Sequence, residues 1–203
     1  NMNLKNYWSV WTGGNLSTDQ ISTGQLRGGP MMKMPGNYNG RFGFSTDYRK
    51  KLVLNFNAGT YGGYQNSSNN LYSNISIDYK PTNYLLVSLS PSVSKSYDKL
   101  QYVNELTYEN SSRYVFASID QKTIGASLRV NVNLSPDITL QYWGQPFIAT
   151  GRYYDHKYIT DPMAKHYTDR FHTYTPVEKV PDADHYNIDE NSDRSEENTY
   201  EHK

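Results

Sequence analysis

The chain contains no cysteine, no excess of charge of one sign and no long hydrophobic run. Without cysteine it forms neither disulfide bonds nor zinc–thiolate sites, and thiol catalysis is excluded. Lysine plus arginine and aspartate plus glutamate number 20 each, so no overall positive field attracts nucleic acid and we expect no nucleic-acid partner. No apolar stretch approaches the roughly 18 residues of a membrane-spanning helix, which excludes a helical membrane protein.

The segment from Ile124 to Leu134 alternates apolar and polar residues throughout. A period of two predicts a β-strand with one apolar face and one polar face. Strands of soluble domains usually run for about 5 to 6 residues, whereas a tilted strand needs roughly 9 to 11 residues to cross a bilayer. This strand is therefore long enough to span a membrane. Its apolar residues are Ile124, Ala126, Leu128, Val130, Val132 and Leu134.

Alternation and turn residues together predict about nine strands and no helix. The strands are expected near Leu4–Thr12, Tyr38–Thr46, Lys51–Tyr61, Leu71–Tyr79, Tyr84–Ser96, Leu100–Tyr108, Arg113–Ile119, Thr123–Leu134 and Ile138–Ala149. The predicted fold is all-β, an antiparallel up-and-down meander of long strands that forms part of an outer-membrane-type β-barrel. Residues 1–175 form this barrel region. The acidic residues 176–203 are expected to be a mobile loop or tail, because they include few aliphatic residues to offset the ordering entropy.

The predicted connections fall into short turns and long loops. The short turns are Asp47–Lys50, Lys80–Asn83, Glu109–Ser112 and Ser135–Asp137, with Pro or Asn where the chain reverses. Counting strands places all four at one end of the meander. The other end receives the long loop Gly13–Asn37, the polar loop Gly62–Asn70, short connections at Tyr97–Lys99 and Asp120–Lys122, and the chain after Thr150. Such asymmetry is typical of outer-membrane barrels.

The polar positions of the predicted strands hold mostly Asn, Ser and Gly. The outer face of a soluble sandwich usually carries Lys and Glu, whereas small uncharged residues suit a crowded barrel lumen. The 20 tyrosines fit both classes, since tyrosine forms strands and also settles at membrane interfaces. The alternative is a soluble or surface-attached β-sandwich that binds glycans through Trp8, Trp11 and Trp143, because aromatic faces stack on sugar rings.

A catalytic constellation is hard to find in the sequence. A metal site or hydrolase centre in the late segment is a third hypothesis, because imidazole and carboxylate groups are both good zinc ligands. The spacings match no strong metal motif, however, so we expect no enzymatic activity, no cofactor and no metal. The residues in question are His156, His166, His172, Asp155, Asp161 and Asp169.

Three segments, Leu26–Pro30, Ser45–Lys50 and Tyr114–Thr123 continuing into Leu134–Phe147, resemble the DUF5916 family in sequence and in order. The resemblance runs from about Tyr7 to Asp161. The family comprises Bacteroidota-type envelope proteins, many with an N-terminal family 9 carbohydrate-binding-like domain before a β-rich region taken to be an outer-membrane barrel. The resemblance therefore implies a location in the outer membrane of the bacterial cell envelope and implies no catalytic residue.

The chain is expected to be the middle of a longer protein, because it begins at Asn1 without a secretory signal and lacks the family's N-terminal domain. It also ends before the family's last strands, so these residues alone are not expected to close a barrel. The expected activity is solute passage or binding at the envelope. The expected partners are membrane lipid, and carbohydrate or envelope proteins that meet the loops at Gly13–Asn37 and after Thr150.

Overall fold

The computed structural model describes residues 1–108, 111–176, 178–182, 185–189 and 199–202. Within these residues the chain forms strands and two short 3-10 helices, Tyr64–Asn66 and Tyr167–Arg170, and no α-helix. The strands are β1 (Met2–Asn3), β2 (Ser9–Ser17), β3 (Gln20–Ser22), β4 (Met32–Met34), β5 (Asn37–Ser45), β6 (Leu52–Gly63), β7 (Ser68–Thr82), β8 (Leu85–Tyr108), β9 (Ser111–Ser135), β10 (Ile138–Gly144), β11 (Phe147–Ile159), β12 (Phe171–Thr173), β13 (Lys179–Asp182), β14 (His185–Asp189) and β15 (Thr199–His202).

Ten of these strands form one sheet in the order β1-β2-β5-β6-β7-β8-β9-β11-β12, with β10 also paired to β9. The recorded strand pairs are antiparallel, and neighbours in the order from β5 to β9 are consecutive in the sequence, as a meander requires. The all-β antiparallel class with long strands is thus confirmed. Among the described strands the sheet is open, because β1 and β12 stand at the two ends of the order.

Strands β8 and β9 are longer than the sequence predicts, at 24 and 25 residues. The predicted connections at Tyr97–Lys99 and Asp120–Lys122 are wrong, since both segments lie inside strands. Pairing across the sheet overrides local turn propensity at the first of them: Tyr97 and Asp98 stand opposite Asn69 and Ser68 of β7. The predicted strand Ile138–Ala149 is instead divided between β10 and β11.

Because β8 and β9 are each one uninterrupted strand, the turns are placed differently from the prediction. The connections β5–β6, β7–β8 and β9–β10 lie at one end of the meander, as predicted. Because β8 does not reverse at Tyr97–Lys99, the connection after Tyr108 lies at the opposite end, so placing all four short turns together is wrong. Residues 109 and 110 of that connection are outside the described residues. The predicted loop Gly13–Asn37 includes the end of β2 and a β3–β4 hairpin.

The chain divides into two compact units, with β8, β9 and β11 each contributing to both. Unit 1 comprises Asn1–Asp19, Pro35–Lys99 and Ile119–Arg152, and unit 2 comprises Gln20–Met34, Leu100–Ser118 and Tyr153–Lys203. The predicted boundary between residues 175 and 176 is not tested by this division and stays a prediction. Of the predicted acidic tail, residues 177, 183–184, 190–198 and 203 are outside the described residues.

The sheet of unit 1 has an apolar face and a polar face. Cross-strand rows such as Phe44–Phe56–Ile75 and Leu54–Ile77–Leu89 build the apolar face, and the rings of Phe44 and Phe56 stack 5.6 Å apart. None of its Leu, Ile, Val or Phe side chains is buried. Its exposed members include Leu52, Ile75, Leu89, Val93, Leu134 and Leu140. Val53, on the other face, is the one buried aliphatic or aromatic side chain other than proline among the described residues of unit 1.

The polar face of unit 1 is a network of small side chains. Ser88 Oγ donates a hydrogen bond to Asp78 Oδ1, and Asn55 Nδ2 donates to Asp78 Oδ2 at 3.4 Å. One step along the sheet, Ser90 Oγ donates to Ser76 Oγ at 3.0 Å. These bonds satisfy polar groups within the sheet, so this face can remain polar without carrying a dense layer of charges.

Glycines opposite aromatic residues recur in unit 1. Trp11 stands directly across from Gly43, Tyr38 from Gly62 and Tyr72 from Gly59, and each ring lies over the glycine. An aromatic side chain that covers a glycine in a neighbouring strand shields the backbone and fills the missing side-chain volume. The glycines are therefore packing positions.

We expect Gly43→Ala to destabilise the chain by about 1 kcal/mol, because the new Cβ would overlap the Trp11 ring. The displaced ring should also change the tryptophan emission spectrum. Urea unfolding followed by fluorescence measures both effects. The matched control is Gly40→Ala on the same strand, where the nearest atom is Thr60 Cγ2 at 3.9 Å. Equal effects of the two substitutions, or an undiminished Gly43→Ala effect in a Trp11→Ala background, would contradict this account.

Unit 2 has a core on both sides of its sheet. Val115 and Phe116 are adjacent on β9, so their side chains point to opposite faces, yet both are fully buried. Phe116 packs in a cluster with Leu26, Met32, Leu100 and Tyr167. Val115 packs in a second cluster with Tyr174 and Ile188. Leu26 and Met32 come from the segment predicted to be an exposed loop, which is therefore anchored in the core.

A fully buried arginine joins three segments of unit 2. Arg170 Nη1 donates to the carbonyl of Lys33 at 2.8 Å, Nε to that of Ala164 at 2.9 Å and Nη2 to that of Lys165 at 3.3 Å. The planar guanidinium presents its donors in a fixed fork, which suits it to holding several carbonyls at once. Arg170 thus fastens the hairpin strand β4 to the chain before β12.

Candidate ligand cleft on unit 1

The polar face of unit 1 contains an open cleft of about 930 Å³ at the end of the sheet where the three short turns meet. The turn between β5 and β6, the β7–β8 connection and the β9–β10 hairpin all contribute to it. This volume is within the range of small-molecule sites. The lining residues are Tyr48, Arg49, Lys50, Lys51, Lys80, Pro81, Thr82, Asn83, Tyr84, Leu85, Leu86, Asn131, Asn133, Thr139 and Gln141.

The turn that forms one wall is fixed by an ion pair. Asp47 Oδ1 accepts hydrogen bonds from Arg49 N at 3.0 Å and Nε at 2.9 Å, and Oδ2 accepts from Arg49 Nη2 at 2.9 Å. The guanidinium also lies 3.3 Å from the centre of the Tyr7 ring. The side-chain hydrogen bond from Arg49 outweighs the burial of the carboxyl and lowers the pKa of Asp47 from 3.8 to about 2. The same pair raises the pKa of Arg49.

This ion pair makes the turn sensitive to acid. Because the pKa of Asp47 is lower in the folded state, the pair stabilises the fold above about pH 4, and this contribution is lost as the pH falls towards about 2. Carbon-13 NMR titration of the Asp47 carboxyl should give a midpoint near 2. Arg49→Gln should return the midpoint towards 3.8, whereas Lys50→Gln should move it less, since Lys50 acts only through its charge. An unchanged midpoint in Arg49→Gln would refute the assignment.

Charge in the cleft is of one sign. Arg49 is neutralised by Asp47, but Lys50, Lys51 and Lys80 are exposed and form no ion pair among the described residues. None of the described lining residues is acidic. The cleft therefore carries an uncompensated positive charge of about three at neutral pH, although the whole chain is neutral.

Neutral hydrogen-bonding groups occupy the floor of the cleft. Asn131 stands opposite Gln141 across the β9–β10 hairpin, and Asn133 opposite Thr139. Thr139 Oγ1 donates to Asn133 Oδ1 at 3.0 Å, which leaves the Asn133 amide N–H groups available. Asn131 Oδ1 is inaccessible to solvent and has no hydrogen-bond partner. The amide of Gln141 and the hydroxyl of Thr139 also line the floor, which thus offers both donors and acceptors.

The late histidines and aspartates do not assemble into a metal centre. The described residues contain no group of three His, Cys, Asp or Glu side chains arranged to hold an ion. His172 Nε2 lies 2.8 Å from Glu178 Oε1. Burial works against ionisation of Glu178, but hydrogen bonds from Thr175 and His172 prevail and lower its pKa. His172 is thus engaged in a local contact near the end of β12.

The three tryptophans also do not form a shared sugar-binding platform. Trp8 stacks on Phe44 at a ring separation of 6.0 Å, and Trp11 covers Gly43. Trp143 is 59% exposed on β10, and β5 to β9 stand between β2 and β10 in the sheet order. Trp8 and Trp11 thus pack against residues of the sheet, and Trp143 is separated from both of them.

One contact in unit 2 has the geometry of a serine–lysine dyad. Lys157 Nζ donates to Ser118 Oγ at 2.8 Å, a distance at which a neutral lysine could accept the serine proton during nucleophilic attack. Both residues are only 1% exposed, however, so no substrate reaches Ser118 Oγ in this conformation. The pair satisfies two buried polar groups and is structural.

The segments that resemble a known family have structural roles. Arg27 lies 4.4 Å from the centre of the Tyr102 ring, and Gly28 adopts φ +115°, a conformation that favours glycine. A Cβ on Gly29 would overlap the Tyr114 ring. The second segment contains the Asp47–Arg49 turn, and the third contains the buried residues Val115 and Phe116.

Sequence reasoning proposed none of the residues that line this cleft as binding residues, and it missed the cleft. A signal was present, because two of the turns predicted at the same end, Asp47–Lys50 and Lys80–Asn83, both contain lysine. The amide residues Asn131 and Gln141 could not be assigned to the same place without the register of the β9–β10 hairpin.

Comparison with known proteins gives one match. A family model described as a domain of unknown function, DUF5916, matches residues 1–190, nearly the whole chain. No curated protein and no solved structure matches the chain. In the part of the chain that the structure describes, no helix is long and apolar enough to cross a membrane.

Proposed function

The chain belongs to the DUF5916 family, and from this premise we propose that it is a segment of an outer-membrane β-barrel that acts in solute passage or binding at the bacterial cell envelope. In this proposal hydrocarbon chains cover the apolar face of unit 1. The polar face lines the lumen, and the cleft at the turns receives the solute. We assign no catalytic step to this chain.

The exposure of the apolar face is the observation that carries the proposal. Soluble monomers rarely leave apolar patches larger than a few hundred Å² in contact with water. On this face Leu52, Ile75, Leu89 and Val93 are each more than 40% exposed, and they belong to neighbouring strands. A lipid environment removes the cost of that exposure.

The dimensions of the strands agree with a bilayer. The apolar residues of β9 from Ile124 to Leu134 cover about 33 Å of strand at roughly 3.3 Å per residue. Tilted by about 45°, this length spans about 23 Å, close to the roughly 25 Å apolar band of outer-membrane barrels. Among the described strands, β1 and β12 end the sheet order, and these are positions at which further strands could complete the barrel.

A spin-label scan tests the orientation of β9. The chain has no cysteine, so single cysteines at Leu128, Arg129, Val130, Asn131 and Val132 can each carry one nitroxide in lipid vesicles. We expect high accessibility to oxygen at the three apolar positions and high accessibility to a water-soluble nickel complex at the two polar ones. Uniform accessibility to the nickel complex along the strand would overturn the proposal.

The competing hypothesis is the soluble glycan-binding sandwich. A sandwich buries one face of each sheet against the other, whereas no leucine, isoleucine, valine or phenylalanine on the described apolar face of unit 1 is buried. A chain that stays monomeric and folded in detergent-free buffer would favour the sandwich. Aggregation without detergent, together with folding in vesicles, would favour the membrane protein.

A further inference from the structure

We propose that the cleft on the polar face of unit 1 binds an acidic oligosaccharide, with Lys50, Lys51 and Lys80 contacting its carboxylates. This inference deepens the proposed function and rests on it only in taking the polar face to be the side that meets solutes. The ligand class follows from three properties of the cleft: its charge, its neutral polar groups and its exposed rings.

Charge comes first. Lys50 and Lys51 lie in the β5–β6 turn, and Lys80 lies near the end of β7, where its backbone N–H donates to the carbonyl of Lys51 at 2.7 Å, so the three lysines lie close together in the lining of the cleft. Arg49 is already bonded through Nε and Nη2 to Asp47, which leaves the lysine ammonium groups as the cations free to meet a ligand. A ligand with several separated negative charges matches this arrangement, and ammonium groups bind carboxylates as point charges without a fixed geometry.

The neutral polar side chains of the cleft restrict the expected ligand from anions in general to anions rich in hydroxyl groups. Besides the tyrosines, six lining side chains are amides or hydroxyls, and these groups both donate and accept hydrogen bonds, as sugar hydroxyls do. An anion without hydroxyl groups has no donor for the acceptor atoms of these side chains. The six residues are Thr82, Asn83, Asn131, Asn133, Thr139 and Gln141.

The rings supply the third feature. Tyr48 and Tyr84 line the cleft and are 71% and 57% exposed. Exposed tyrosines combine an apolar ring with a polar hydroxyl, so they can cover the C–H face of a sugar and bond its hydroxyls. The volume of about 930 Å³ is far more than a single inorganic anion requires.

The test is isothermal titration of the whole chain in detergent micelles with trigalacturonate as the probe. We expect trigalacturonate to bind and its fully methyl-esterified form, which keeps most hydroxyls but lacks charge, to bind at least about 10-fold more weakly. Raising the salt from about 0.05 M to about 0.5 M should weaken trigalacturonate binding. Equal binding of the ester, or displacement of trigalacturonate by equimolar inorganic phosphate, would overturn the inference.

Matched variants locate the site. The triple substitution Lys50→Gln, Lys51→Gln and Lys80→Gln should weaken binding about 10-fold. Lys5→Gln, Lys95→Gln and Lys122→Gln together change the net charge equally but lie outside the cleft, and binding should be unchanged. Equal losses in the two variants would overturn the assignment. Because the methyl-ester comparison uses the unaltered chain, the inference can be tested even if a variant misfolds.

Failure of the ligand assignment can be distinguished from failure of the membrane proposal. If the spin-label scan alternates but trigalacturonate does not bind, the ligand assignment fails and the membrane proposal stands. If trigalacturonate binds through the three lysines but the scan does not alternate, the ligand assignment stands and the membrane proposal fails.

Discussion

Replacing Arg170 by alanine should destabilise unit 2 by about 3 kcal/mol or more. The substitution leaves the carbonyls of Lys33, Ala164 and Lys165 without their donor, and an orphaned buried polar group costs about 1 to 3 kcal/mol. It also empties the space of a large side chain that has no exposed surface. Denaturant-dependent hydrogen exchange at the amides of β4 and β12 measures the effect where the three segments meet.

Two further variants distinguish the effect of the planar guanidinium donors of Arg170 from the effect of its positive charge. Arg170→Lys keeps a positive charge but cannot reach three carbonyls in a fixed plane, so its stability should fall between those of wild type and Arg170→Ala. Arg41→Ala, on the exposed polar face of unit 1, should change the stability by no more than about 0.5 kcal/mol. If Arg170→Lys matched the wild-type stability, the three-carbonyl arrangement would not be what matters.

Placing a charge on the apolar face should have the second largest effect. Val130→Arg should cost about 2 to 4 kcal/mol in a bilayer, because Val130 lies in the middle of the apolar row of β9 opposite Tyr142 of β10. Urea-dependent folding into lipid vesicles measures this free energy. In detergent-free buffer the same substitution should have a much smaller effect, since the arginine would then remain hydrated.

The neighbouring residue provides the control. Asn131→Arg introduces the same side chain on the polar face and should cost far less, as the natural arginine at position 129 on that face indicates. The difference between the two variants measures the contrast between lipid and lumen at a nearly constant depth. Equal tolerance at Val130 and Asn131 would remove the lipid-facing assignment.

Local alternation explains why much of the sheet could be predicted. The strands around Phe56, Ile77 and Val130 each show the two-residue period, which any one segment reveals without its neighbours. The false breaks at Tyr97–Lys99 and Asp120–Lys122 arose because their polar residues are typical of turns. Whether such a segment turns or continues depends on the strand beside it, and β7 extends far enough to pair with Tyr97 and Asp98.

The core of unit 2 shows a second limit. Leu26 and Met32 lie in a glycine-rich segment without any periodicity, so nothing local marks them as buried. Their burial depends on Phe116 and Tyr167, which are about 80 to 140 residues away in the chain. The same holds for Arg170, whose partner Lys33 is 137 residues away.

The sequence by itself determined the all-β class, the antiparallel meander, the two-faced strands and the family, because each of these is expressed within short segments or in their order. Only the tertiary structure decided that β8 and β9 run uninterrupted, that unit 2 is packed on both sides, and that three lysines and four amide side chains meet in one cleft. The physical reason is that strand register is set by pairing between distant segments, and a shift of one residue would move every side chain to the other face.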